Sequence, residues 1–148
     1  MRIRCTNNTG ISLRPYEYTL ITNKEVFGRF GVSESAEYGL EIGKEYLVMG
    51  ILIFQTYQAY LIDDNGFIST YPCQLFEVTD DKLNPNWNFR LIERDEDIYP
   101  YVQSIFGYPE LCSDKKSYEN LIVEMEENAQ RIYFRRKIEL EKELAEED

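Results

Sequence analysis

Three runs of adjacent carboxylates have the residue types that could do chemistry: Asp63-Asp64, Asp80-Asp81 and Asp95-Glu96-Asp97. Paired carboxylates act as acid and base in glycoside cleavage, and with a divalent cation they activate water or phosphate. Both jobs require the two groups to aim at one point. Neighbours on a strand face opposite ways and neighbours in a turn face water, so each run reads as a solvated loop. Asp63-Asp64-Asn65-Gly66 imitates the start of a calcium loop, but the twelfth position, where a bidentate glutamate belongs, is Gln74. The chain contains no histidine. That removes the Ser-His-Asp and Cys-His nucleophile systems, the His-containing metal sites and the ordinary acid–base group near neutrality. Gly28-Arg29-Phe30-Gly31 lacks the third glycine and the preceding strand of a dinucleotide fingerprint, and Cys73 has no histidine to activate it. The expectation is a protein without catalytic residues, metal or cofactor.

Composition turns attention to the surface. The chain carries sixteen basic and twenty-seven acidic residues, a formal charge of −11, which repels a phosphate backbone and speeds encounter with a basic protein. Aromatics make up 14% of the sequence, with twelve tyrosines, and Asp97-Ile98-Tyr99-Pro100-Tyr101 places tyrosines beside acids as a partner-binding surface does. The cysteines Cys5, Cys73 and Cys112 are odd in number and far apart, which suits a reduced compartment. The start MRIRCTNNTG has no apolar signal region, and the apolar run Tyr46 to Phe54 is far shorter than the about 20 residues of a membrane span. A cytoplasmic protein is expected.

The elements that must position these residues form a single α+β domain over 1–148: a small antiparallel β-barrel to about residue 92, then a mainly helical extension over 93–148. Strands are predicted at Met1–Cys5, Tyr16–Thr22, Glu45–Phe54, Ala59–Asp63, Phe67–Tyr71, Leu75–Thr79 and Trp87–Ile92. Asn65-Gly66 supplies a tight hairpin turn, Gly50 a bend or bulge, and the glycine-bearing segment 27–43 a mobile loop. Tyr99–Phe106 is expected to make a helical turn or two, and Pro109 to start a helix. Tyr118, Leu121, Ile122, Met125, Ala129 and Ile132 recur at helical spacing, so one long helix from Ser117 to Leu144 is predicted to pack its first half on the barrel. Beyond Ile132 it should project, bend or meet a second copy, with Glu127–Arg131, Arg135–Glu139 and Lys137–Glu141 pairs along it.

The stretches GKEYLVMGILIF, YLIDDNG, YPCQLFEVTDDKL and WNFR, together spanning Gly43 to Arg90, resemble a group of short bacterial proteins with an SH3-like barrel. Such chains include immunity proteins that protect a cell from toxins delivered by its neighbours, among them contact-dependent growth inhibition systems. The resemblance implies a cytoplasmic, non-enzymatic inhibitor of a cognate toxin, basic and in some cases a nuclease. Immunity families vary most where they touch the toxin, so no residue's role transfers. On composition, Asp95, Glu96, Asp97, Tyr99 and Tyr101 are expected to make the contact, with Asp80 and Asp81 second. Two rivals stay open: a cytoplasmic SH3-like protein-binding module whose C-terminal helix forms a homodimer, and an enzyme using carboxylates with a divalent metal.

Overall fold

A computed structural model describes residues 1–147. The strands β1 (Arg2–Cys5), β2 (Glu45–Leu47) and β6 (Phe76–Asp80) form a small antiparallel sheet in the order β2-β1-β6. A larger antiparallel sheet, β5-β4-β3-β8-β7, is built from β3 (Gly50–Phe54), β4 (Gln58–Asp64), β5 (Phe67–Pro72), β7 (Asn88–Leu91) and β8 (Val102–Gly107). Behind it lie a short helix α1 (Pro109–Ser113), a single π-helical turn (Glu119–Val123) and the long helix α2 (Glu127–Glu147). The architecture is α+β in three layers: small sheet, large sheet, helices.

Two stretches of chain pass between the sheets. β2 runs on through Val48 and Met49 into β3, and β5 leads through a 3₁₀ turn (Cys73–Leu75) into β6. The hairpin β4–β5 turns at Asn65 (φ 50°) and Gly66 (φ 89°), the two positive-φ positions of a type I′ turn, which fixes the register Asp64 opposite Phe67. Side-chain alternation then feeds two cores. Tyr60 and Ile62 point to the small sheet with Ile3, Val48 and Leu75, while Ala59 and Leu61 point to the helices with Leu52, Ile105, Leu111, Leu121 and Tyr133. A strand in the middle layer has no wet face, which is why this part of the sequence is apolar at successive positions.

The ladders form two antiparallel sheets and do not close on each other. Several expectations are corrected. Tyr16–Thr22 is not a strand; a 3₁₀ turn over Ile11–Tyr16 contains Pro15, and Tyr18 and Leu20 then stand in solvent with no apolar face to bury. The 27–43 loop is anchored, with Phe30 and Leu40 buried in the inter-sheet core. Gly50 makes no bulge. It faces Gly107 across β3 and β8 so that Leu111 can sit on the sheet; a Cβ on Gly107 would lie 2.8 Å from the Leu111 side chain and 3.0 Å from the Met49 carbonyl. Tyr99–Phe106 is not helical but supplies β8, which pairs with both β3 and β7, so the sheet continues past residue 92.

The predicted helix from Ser117 is broken. Met125 takes φ 50°, separating the π-helical turn from α2. Beyond the break α2 does not project: Tyr133 and Leu140 are buried on the core and Leu144 packs against it, because β7 and β8 make the platform wider than a five-strand barrel. Of the expected pairs only Glu127–Arg131 forms, at 2.6 Å; Arg135 goes to Glu110 and Lys137 to Asp63. No helix among the described residues is long and apolar enough to cross a membrane.

Candidate partner-binding face

α1 starts with Pro109 at its first position, where the missing amide donor costs nothing. Its Glu110 accepts from Arg136 Nε at 2.6 Å and Arg135 at 3.0 Å, which ties α1 to α2. Burial alone would raise the Glu110 pKa, but the Arg136 hydrogen bond and the two guanidinium charges outweigh it and hold the carboxyl below its usual range. The Ser117 hydroxyl donates to the Leu111 carbonyl and turns the chain toward the π-helical segment. There the Glu124 amide donates to the Glu119 carbonyl and the Glu126 amide to the Asn120 carbonyl, each at 2.8 Å, bracketing the left-handed Met125.

This break opens a pocket of about 280 Å³ between α1, the π-helical turn and the start of α2. Leu111, Leu121, Ala129 and Ile132 give it apolar walls, and Asp114, Asn120, Glu126 and Asn128 supply polar groups. Next to it in the chain Val123 is 63% and Met125 48% exposed. The segment around Lys116 also walls a second recess of about 170 Å³ with Asp95, Asp97 and Ile98. The stretch from Asp114 to Ser117 thus contributes to both recesses, Asp114 and Ser117 to the first and Lys115 and Lys116 to the second.

Most cations of the molecule are committed to carboxylates, while Lys115 and Lys116 stand at the second recess. Arg2, Arg4, Arg14, Lys44, Arg90, Lys116, Arg131, Arg135, Arg136 and Lys137 all lie within 4.0 Å of a carboxylate, ten of the sixteen cations. Among the described residues no such cation lies that close to Asp95, Asp114, Glu124 or Glu126. An apolar pocket rimmed by uncompensated carboxylates attracts a basic group with an apolar stem, such as an arginine or lysine side chain.

The residues expected to bind meet different fates. Asp95 is exposed, and the Asp97 side chain, 80% exposed, reaches only a solvated Lys116 at 3.4 Å. Glu96 turns inward to an ion pair with Arg90 in which both side chains are buried, so it holds the connector rather than a partner. Tyr99, preceding a cis Pro100, packs partly on the core, whereas Tyr101 is 53% exposed and stacks on Phe54 with centroids 4.9 Å apart. Asp80 and Asp81 are not part of this face. Asp80 pairs in the small sheet opposite Arg2, which itself pairs with Leu47, while Tyr101 bonds to Gln55 past the far end of β3. Asp114, Val123, Glu124, Met125 and Glu126, none of them singled out by composition, stand around the helical break. Their signal was Glu124-Met125-Glu126-Glu127: acids crowd a helix start, and a start there means that the helix before it has ended.

Other reactive groups are engaged or quiet. Asp63 accepts the Tyr133 hydroxyl at 3.0 Å and Lys137 Nζ at 2.8 Å, and Asp64 accepts Lys44 Nζ at 2.6 Å. Burial, then the charge of Asp63, pushes the Tyr133 phenol far up, so it stays a donor. Cys5, Cys73 and Cys112 are free, and burial raises the Cys73 thiol to about 11. Among the described residues no cluster of three His, Cys, Asp or Glu side chains is placed to hold a metal ion. No family model matches the chain, nor does any curated protein or solved structure.

Proposed function

We propose that the chain is a cytoplasmic bacterial immunity protein that binds a cognate toxin and blocks it by covering a basic surface. The observation that carries this reading is the break at Met125: an apolar-walled pocket, exposed Val123 and Met125, and carboxylates without cations, on a chain of charge −11. Such a face desolvates an apolar anchor at its centre and pairs charges at its rim. Asp95, Asp97 and Tyr101 extend it; Asp114, Glu124, Met125 and Glu126 form its centre. The fold is read as an SH3-like barrel enlarged by β7 and β8, supported by the β2–β3 strand shared between sheets and the 3₁₀ turn before β6. The test is capture of partners from the source cell and its competitors, then expression of the chain in cells poisoned by the captured protein. Rescue lost with Met125→Asp and kept with Asp80→Asn supports the reading; rescue by neither wild type nor variants contradicts it.

One observation favours a second reading, a binding module that dimerises through α2. Phe134 and the 53% exposed Ile138 share a shallow apolar depression on its outer side with Arg131 and Arg135. A mass that rises with concentration and returns to monomer in Ile138→Glu would select it.

A further inference from the structure

We infer that the bare edge of β7 is a strand-addition site for an extended basic segment of another protein. In the antiparallel ladder with β8 the Ile92 amide donates to the Gln103 carbonyl at 3.0 Å, and Arg90 lies opposite Ile105. Hydrogen-bonded and non-hydrogen-bonded pairs alternate, so the amide and carbonyl groups of Phe89 and Leu91 point away from β8, with no backbone partner. Their side chains are 64% and 67% exposed. They stand in register with Phe106 and Ser104, and the Phe106 ring is braced edge-on by Trp87 at 5.4 Å. Apolar side chains and unpaired backbone polar groups thus share one edge.

Short length, charge, irregular pairing and a covering element are the usual guards of an outer strand against pairing with another chain. β2 has three residues, β6 carries Glu77 and Asp80 and a register irregularity against β1, and β5 is packed by the π-helical turn. β7 is also short and is packed by α1, yet its outward-paired positions Phe89 and Leu91 are both apolar and exposed. The occupant follows from charge. β7 runs directly into Glu93-Arg94-Asp95-Glu96-Asp97, where Arg94 is the one base and Glu96 is spent on Arg90. A second copy of the chain would bring its own −11 to this edge. A segment with apolar residues against Phe89 and Leu91, and lysines or arginines before them, sets its bases on Glu93 and Asp95 when it pairs antiparallel. This holds whether or not the partner is a toxin.

The experiment uses the full chain and a synthetic peptide, acetyl-Lys-Thr-Lys-Thr-Val-Thr-Val-Thr-amide, with amide exchange followed residue by residue. At millimolar peptide the Phe89 and Leu91 amides slow about tenfold or more, while that of Arg90, already in the ladder, is unchanged. Glutamates in place of the lysines, or lysines moved to the C-terminal end, weaken the effect. Leu91→Pro removes an outward donor without breaking the β8 ladder and abolishes it. Should that variant not fold, N-methylation of alternate peptide residues gives the same loss. Unchanged exchange with the peptide, binding that survives both donor deletions, or protection that rises with protein concentration alone overturns the inference. Failure of toxin rescue leaves it standing, and its failure leaves the Met125 face standing.

Discussion

The acids of the β4–β5 hairpin and those around the helical break are alike in type but not in company. Asp63 and Asp64 sit where α2 and the long first loop meet the sheet, and Tyr133, Lys137 and Lys44 saturate them. Asp114 and Glu126 line an open pocket and Glu124 precedes it in the chain, and no cation among the described residues lies within 4.0 Å of any of the three. The first group spends its charge within the fold, and the second leaves its charge to solvent, where the proposed partner would meet it. Overall acidity says little about function until the cations have been assigned, because a carboxylate already paired gains little from a partner's base.

The hairpin side of this contrast breaks most visibly. Asp63→Ala leaves the Lys137 ammonium and the buried Tyr133 hydroxyl without their acceptor, and should lower unfolding stability by about 3 kcal/mol in denaturant titration. Affinity of the folded fraction for the partner should be unchanged. The pocket side gives the converse. Asp114→Asn with Glu126→Gln should leave the unfolding midpoint within about 0.5 kcal/mol, as surface changes do, and weaken partner binding about tenfold by calorimetry, a loss of about 1.4 kcal/mol.

Met125→Gly sharpens the comparison from the backbone. A left-handed non-glycine residue costs about 1–2 kcal/mol, so the glycine variant should be more stable by up to about 1 kcal/mol, yet bind more weakly through loss of an exposed anchor. Such a trade identifies strain kept for binding rather than for the fold. The smallest effect is in acid. The Glu110 carboxyl is held below its ordinary 4.5, so its contribution is complete above that value and is lost as pH falls through the lower folded value. The stability difference between wild type and Glu110→Gln should therefore shrink steadily below pH 4.5 and be flat from pH 6 to 8.

The β4–β5 hairpin was legible because its information is local: Asn65-Gly66 dictates the turn and the turn dictates the register. β8 was not. Val102–Gly107 becomes a strand through pairing with β7 and with β3, the latter distant in sequence, and its own residues do not alternate cleanly. Gly50 showed a glycine's presence but not its use, since the demand comes from Leu111 far along the chain. The break at Met125 was hidden by the helical spacing that runs through it, because Tyr118 to Ile132 keeps an apolar stripe across two helices that are not continuous. Exposure of Asp95, Asp97 and Tyr101 could be expected from composition. The inward turn of Glu96 could not, since it depends on where Arg90 is presented by β7.

Partner affinity measured against salt, in wild type and in Asp114→Asn/Glu126→Gln, tests the central claim most directly. Uncompensated carboxylates meeting a basic surface require wild-type affinity to fall steeply as ionic strength rises past about 0.15 M, where the screening length is about 8 Å, and require the double variant to show a shallower slope. Equal slopes for the two proteins, or an affinity that ignores salt altogether, would show that the partner is held by something other than this acidic face.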